Sequence, residues 1–472
     1  MPTPTAGHAL RCNGDVSFWY RDAGLGPVHP PLTSSTTADV VVVGGGYTGL
    51  WTAYYLAQAK PEWRIVVLEA ETVGYGASGR NGGWLSYGMP GLNRMYAASH
   101  GKQSVIDFQR QIFGAIDEVV AVTRAEGIEA DVATQGEIAI ATTPAQAARL
   151  REEQEYCLAW GFEDEDLELV SGDALTDRFA HLAGGTVGLW SRRAARVQPA
   201  KLVSGLRDAC LRLGVVVHEH TRVTDIAPHR VTTGTGDTVD ARWVVRGTEA
   251  FTADLPGQRR TWLPKLSSVL ATEPLSRAQL ESVGWADNAV LTRDAAHSFS
   301  YIQKTADDRI VLGGPGTPYY WGSGRDRHGE TPVASVEALT ASFDRLFPAL
   351  ADVAFDHTWT GVLGIPRDWS ATVDADPATG LAVAGGYVGD GLSASNLAGR
   401  TLRDLILGED TAITHLPWVG KKVRPWEPEP ARWLGVRGMY RVYSAVDALE
   451  RRSQSPETSR LATLANRISG RH

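Results

Sequence analysis

Gly44, Gly46 and Gly49 stand at G-x-G-x-x-G spacing, and an acid, Glu69, follows twenty positions after the last of them. Bound to a dinucleotide, each of these residues has a mechanical task. The first glycine permits a tight strand-to-helix turn and the second lets the backbone approach a pyrophosphate. The third lets the helix lie close to the strand, and the acid hydrogen-bonds a ribose hydroxyl. The flanking sequence provides the scaffold. Residues 40–43, all valine, predict a strand buried on both faces, 50–59 an uncharged helix, and 65–68 a second buried strand. Tyr47 and Thr48 open the helix, where unpaired N–H groups and the positive dipole end favour phosphate; Ala70 follows the acid. Glycine spacing alone is weak evidence in a chain with 50 glycines, and its bland alternative is a structural βαβ turn. The strand, the helix and the acid at the proper distance make the pattern specific.

Two further glycine clusters carry polar residues. Residues 74–88, GYGASGRNGGWLSYG, hold six glycines in fifteen positions and cannot be the interior of a regular helix or strand. Ser78, Gly79, Arg80, Asn81, Gly82 and Gly83 form its middle. Such a stretch is either a flexible surface loop or a loop laid flat against a planar ligand. In the second case Arg80 meets phosphate or developing negative charge. The third cluster, with Gly386, Gly389, Asp390, Gly391 and Leu392, joins a strand at 380–385 to a helix at 394–407 closed by Gly408. A helix N-terminus there directs N–H groups at a ligand and favours negative charge on it.

Composition narrows the class. A length of 472 residues suggests two or three domains, and 43% apolar with 21% charged residues is ordinary for a globular protein. A net charge of -8 offers no electrostatic footprint for nucleic acid or an anionic membrane. Residues 40–59 are uncharged, but the glycines break them, so no membrane span is expected. The first residues have neither a basic start nor an apolar run, and Cys12, Cys157 and Cys210 are too few and too scattered for a disulfide framework. A cytoplasmic protein is expected. G-x-S-x-G, H-E-x-x-H and G-K-[ST] are absent, and His218 with His220 lacks a third ligand, so no metal site is expected.

The pairing of VVVGGGYTGL…VVLE with GASGRNGG resembles the D-amino-acid-oxidase-type family of FAD-dependent amine oxidoreductases, across roughly residues 38–408. The gamma-glutamylputrescine oxidoreductase-like branch, which carries the ASGRNGG loop in this form, is the nearest resemblance. The resemblance implies an α/β (α+β, two-domain) architecture: a Rossmann-like FAD-binding domain with a second, mostly antiparallel β-sheet substrate domain. It implies that 74–88 wraps the flavin side of FAD, that Val223 touches the adenine end, and that Thr248 and Gly361 lie where backbone nears the cofactor. Three glycine-lined approaches fit a flavin held along its length better than a nicotinamide. No cysteine lies in the flavin segments and no histidine in 74–91 or 380–400, so the FAD is expected to be non-covalent. The implied reaction is oxidation of an amine or amino-acid C–N bond to an imine, with O2 or another acceptor reoxidising the flavin. Two alternatives stay open: an FAD-binding non-catalytic or partner subunit of a multi-component dehydrogenase, and, more weakly, a nicotinamide enzyme.

Along the chain, residues 1–37 read as a mostly irregular arm with an aromatic knot at Phe18, Trp19 and Tyr20. The expected FAD domain comprises 38–100, 196–258 and 355–410, the substrate domain 101–195 and 259–354, and a C-terminal extension 411–472. That extension reads as a surface tail or a subunit contact, helical over 432–452. Residues 221–226 read as the continuation of a strand begun at 215–218. Phe299, Tyr301 and Gln303 alternate on one face of an expected strand. Candidate substrate-side residues are Arg80, Tyr301, His297 and Trp359, each with a bland alternative: packing for Tyr301 and Trp359, solvation for His297, FAD binding alone for Arg80. The groups that read the substrate are not identifiable in the sequence, nor is the oligomeric state.

Overall fold

The valine run becomes the middle of an eight-stranded sheet. In the computed structural model, which describes residues 9–24, 26–314, 316–325, 328–459 and 461, strand Thr36–Val43 is flanked in parallel by Ile65–Leu68 and Thr238–Arg246. Val40 stands opposite Ile65 on one side and Trp243 on the other. Val216–His218 extends the sheet beyond Ile65–Leu68, and Leu381–Gly385 joins Thr238–Arg246 in parallel. Arg230–Thr233, Val223–Ala227 and Thr372–Asp376 complete it with antiparallel pairings. Helices Tyr47–Ala59, Pro199–Arg212, Gly391–Leu407 and Asn93–Ala125 bury one face in a single apolar cluster. Close helix contact depends on Gly399, where a Cβ would lie 2.7 Å from that of Trp51.

The second sheet has nine strands, in spatial order Leu10–Asn13, Phe355–Ile365, Leu263–Thr272, Ile310–Gly314, Tyr301–Lys304, Leu291–Asp294, Glu137–Ala141, Val187–Ser191 and Leu167–Ser171. It is antiparallel except where Leu10–Asn13 runs beside Phe355–Ile365 and Leu291–Asp294 beside Glu137–Ala141. The α/β class and the second, mostly antiparallel sheet are therefore as expected.

Several boundaries differ from the sequence reading, each for a tertiary reason. Strand Phe355–Ile365, expected in the FAD domain, belongs to the nine-stranded sheet because it pairs along its length with Leu263–Thr272. Helix Asn93–Ala125, expected largely in the substrate domain, buries Phe108, Ile112 and Val119 in the core of the eight-stranded sheet's domain. Residues 215–227 are two strands rather than one: the chain turns at His220, whose φ is 50°, and Val223–Ala227 pairs elsewhere. The N-terminal arm is less irregular than expected. It contributes strand Leu10–Asn13 and helix Phe18–Ala23, capped by Ser17, with all three knot aromatics buried. The C-terminal extension is helical from Ala431 to Ser453 and packs on the chain's own surface. Among the described residues no helix is long and apolar enough to cross a membrane.

Candidate active site

Strand Thr36–Val43 ends at Gly44, whose φ of 107° and 2.7 Å approach of a would-be Cβ to the Gly247 carbonyl exclude any other residue without a shift. A Cβ on Gly49 would meet the Gly44 carbonyl at 2.1 Å, so the helix can sit this close only on glycine. Gly46 backs onto Ser78, whose hydroxyl accepts the Tyr47 N–H at 2.9 Å. Glu69, at the end of Ile65–Leu68, accepts the N–H of Gly45 at 2.7 Å and of Glu71 at 3.0 Å. Burial raises its carboxyl against these donors. Each carboxylate oxygen keeps a lone pair for a hydroxyl. Thr221, two residues before Val223, donates its N–H to the Glu69 carbonyl at 2.8 Å.

The loop at 74–88 is held at nearly every step, unlike a flexible surface loop. Ser17 donates to the Gly79 carbonyl at 2.7 Å, Trp19 to that of Asn81 at 2.8 Å, and Tyr20 to that of Val73. The Asn81 side chain donates to Ala77 and Ser78 carbonyls and accepts the Gly83 N–H at 2.8 Å. A Cβ on Gly79 would fall 2.3 Å from the Tyr20 ring. The N-terminal aromatic knot therefore clamps this loop, a role that no local pattern indicated.

These parts meet around one cavity of about 480 Å³. Tyr47 and Thr48 stand at one wall, Ser78, Arg80, Asn81 and Gly82 at another, and Gly361, Gly389, Asp390, Gly391 and Leu392 at a third. The Thr48 hydroxyl meets that of Tyr387 at 2.9 Å and so ties the first glycine cluster to the third. Arg80 is buried, donates to the Thr360 carbonyl at 3.2 Å and lies 4.3 Å from the Tyr75 ring centre. Tyr301 faces the cavity with its ring against Gly82 and Gly313, either of which would collide with it given a Cβ, and its hydroxyl is 3.0 Å from that of Ser267. Burial raises the Tyr301 phenol, opposed by Ser267. Gln303, two residues on, shares that face and donates its amide to the Gly82 carbonyl; Phe299 lines the cavity too, ahead of the strand.

Two sequence candidates lie off the cavity. Trp359 is fully buried, packs on Phe18 and Trp19, and donates its ring N–H to the Arg80 carbonyl at 2.9 Å. It supports Arg80 from behind. His297 is also corrected: it faces the C-terminal helix, with Nε2 3.2 Å from Glu450 and its N–H on Asp447 at 2.9 Å. These three could ligate a metal by type, but Glu450 is already paired with Arg149 at 2.9 Å and Asp447 accepts two backbone N–H groups. They lock the helix in place. Its other half brings Trp433 and Val436 onto the apolar cluster of Leu263, Tyr319, Ile365 and Trp426, on which Leu363, Trp369 and Val388 of the cavity wall also pack. Gly44, Gly46, Gly49, Glu69, Ala70, Gly79, Gly83, Val223, Thr248 and Gly386 do not line the cavity.

Sequence reasoning missed Glu249. It follows Thr248 with φ 43°, lines the cavity, and accepts N–H bonds from Gly364 at 2.6 Å, Gly386 at 2.7 Å and Tyr387 at 3.3 Å. Burial raises its carboxyl while those donors oppose the rise. An acid immediately after the strand end Arg246-Gly247-Thr248 was its only local signal.

Glu137, Glu153, Arg293, Lys265 and Tyr87 were missed as well; three come from separate strands, Glu153 from helix Pro144–Ala159 and Tyr87 from the end of the 74–88 loop, and they meet at this cavity. Arg293 pairs with Glu153 at 2.5 Å. Burial pushes Glu137 up to about 7; burial and the charge of Glu137 push Asp390 up to about 7.

A glycine-cradled helix N-terminus, an acid at the end of the second strand and an antiparallel sheet covering the cavity define a dinucleotide-dependent oxidoreductase of two-sheet construction. The family model described as "FAD dependent oxidoreductase" (DAO) matches residues 39–405, and the chain belongs to that family. It is an FAD-dependent oxidoreductase of the amine and amino-acid oxidase type. It is similar to gamma-glutamylputrescine oxidoreductase of Escherichia coli (strain K12), 30% identical over 409 residues, covering 83% of this chain and 89% of that protein. It is similar also to glycine oxidase of Geobacillus kaustophilus (strain HTA426), 25% identical over 80% of this chain and 96% of that one. A crystal structure of glycine oxidase from Geobacillus kaustophilus superposes with TM-score 0.68 at 21% identity, over 82% of this chain and 99% of that one.

Proposed function

We propose that the chain binds FAD without a covalent bond and oxidises the C–N bond of a small amine to an imine, with O2 as final acceptor and H2O2 as product. The observation that supports this is that the segments carrying all three glycine clusters border one cavity, through Tyr47 and Thr48, through Ser78, Arg80, Asn81 and Gly82, and through Gly389 to Leu392. The frame suits the cofactor: the carbonyls and side chains behind Gly44, Gly46 and Gly49 leave no space for a Cβ, and the Glu69 carboxylate keeps free lone pairs. No cysteine or histidine lines the cavity among the described residues, which supports non-covalent binding.

In this reading the first-turn N–H groups at Thr48 and Gly49, without intrahelical acceptors, receive the pyrophosphate. Glu69 receives a ribose hydroxyl. Arg80, fixed by Thr360 and Tyr75, contributes permanent positive charge beside the ring system, and the N-terminus of Gly391–Leu407 adds its dipole. FAD, when bound, supplies the two-electron acceptor for the C–N bond. Tyr301 and Ser267 position the substrate, while the apolar cluster that takes in Leu363, Trp369, Val388, Trp433 and Val436 keeps bulk water from that side. The amine reacts in its neutral form, and the imine released hydrolyses in water.

The test is an absorbance spectrum of the purified protein followed by anaerobic addition of an amine panel. Yellow protein, flavin released by denaturation, and bleaching by at least one amine are expected, with H2O2 formed when air is admitted. Tight FAD that no primary or secondary amine bleaches would sink the proposal.

A further inference from the structure

Two carboxyls, Glu137 and Asp390, line the cavity, and the one cation whose charge reaches Glu137, Arg293, is shared with Glu153. Glu137 opens strand Glu137–Ala141 and stands opposite Leu291; by the two-residue alternation of strands it shares a face with Arg293 and Tyr301. It is only 5% exposed, it lines the cavity, and its Oε2 has no hydrogen-bond partner. Asp390 directly precedes helix Gly391–Leu407 yet its side chain does not cap that helix. It turns toward Gly88 instead: a Cβ there would lie 2.0 Å from Oδ1, so glycine at 88 vacates the room the carboxylate uses. Glu137 is the one charge felt at Asp390, so the two are neighbours.

Of the cationic groups only Arg293 reaches Glu137, where its charge opposes the rise caused by burial, and it serves Glu153 as well. Arg293 is held by Glu153 at 2.5 Å. Arg80 is turned to the Thr360 carbonyl and the Tyr75 ring. Lys265 has its ammonium 5.7 Å from the Tyr440 ring centre. Tyr87 faces Glu137 as a neutral phenol, its ionisation opposed by burial and by Glu137 itself. The Ser86 and Tyr87 hydroxyls act on the Glu137 carboxyl, yet its buried Oε2 stays without a donor, which is costly unless a ligand brings one.

We infer that Glu137 and Asp390 form a subsite for a substrate ammonium group, so that the substrate is an amine with a second cationic nitrogen rather than an α-amino acid with its carboxylate there. An ammonium carries three N–H donors and no acceptor, which suits two carboxyls; a carboxylate in that place meets like charge. The inference rests on the amine-oxidising function proposed above. A cation between the two acids favours their ionised forms, so its binding releases protons near neutral pH.

The probe is 1,4-diaminobutane against 1-aminobutane, which differ by one ammonium group. With wild type, Glu137→Gln and Asp390→Asn, each loaded with FAD, we expect wild type to favour the diamine at least tenfold in kcat/KM and each variant to lose that preference. Titration calorimetry in phosphate and in Tris at pH 7 reads the protons released on diamine binding, which should fall in Glu137→Gln. Flavin content of each variant reports that it has folded. Diamine binding at least tenfold tighter to wild type than to Glu137→Gln upholds the subsite even where no amine bleaches the flavin; the proposed reaction alone then fails. Equal kcat/KM for the two amines in wild type, or turnover preferring glycine or sarcosine to the diamine, overturns the subsite while the reaction stands.

Discussion

Replacing Glu249 by glutamine tests how the third glycine cluster is held against the large sheet. The carboxylate receives the Gly364 N–H on one oxygen, at 2.6 Å, and those of Gly386 and Tyr387 on the other, at 2.7 and 3.3 Å. A glutamine offers one acceptor oxygen, and its NH2 group meets an N–H donor on the opposite side. Hydrogen bonds to a charged acceptor contribute about 1.5–3 kcal/mol, and an orphaned buried N–H costs about 1–3 kcal/mol. Because Glu249 is only partly buried, water relieves some of that loss, and about 2 kcal/mol of unfolding free energy is expected to go. The same change loosens the turn 385–391 that borders the cavity, so FAD should dissociate roughly tenfold more readily. Urea unfolding with and without FAD gives the first quantity, and quenching of flavin fluorescence on titration into apoprotein gives the second. Wild-type stability together with wild-type FAD affinity in the Glu249→Gln protein would refute the pinning role.

The other predictions concern protonation and close packing. Glu137 and Asp390, raised to about 7 in the folded chain, favour folding while protonated; that contribution is present below their unfolded values, about 4, and is lost as pH rises through about 7. Glu137→Gln, which cannot ionise, should therefore gain melting temperature relative to wild type at pH 8 and little at pH 4, with Glu153, Arg293 and Tyr87 the charged or titratable neighbours of the site. Parallel melting curves across that range would contradict the assignment. Gly49→Ala puts a methyl 2.1 Å from the Gly44 carbonyl and 2.9 Å from Val42 Cγ1; overpacking of about 1–3 kcal/mol and markedly weaker FAD binding are expected. Unchanged thermal stability and flavin content would show that the helix can back away from the strand without penalty.

What the sequence determined by itself is what neighbours in the chain determine. The first strand, turn, helix and second strand are contiguous, and the task of each glycine is set by backbone geometry within a few residues of it. The same holds for the helix stop at Gly408, which adopts the left-handed conformation its type favours. The loop at 74–88 was recognisable because its glycine density forbids regular structure. Tertiary structure decided everything that depended on residues far apart. His297 and Tyr301 are four positions apart, yet one turns to the C-terminal helix and the other into the cavity, because a strand begins at Tyr301 and Asp447 and Glu450 arrive from another element. Glu137 and Arg293 carry no local signature and Glu249 only its place after a strand end, since an isolated acid or arginine has the same residue type on a solvated face as in a cleft. The physical reason is that burial and partner choice are properties of the packed chain: the charges that face one another across the cavity are brought there by strand pairing, which local patterning does not specify.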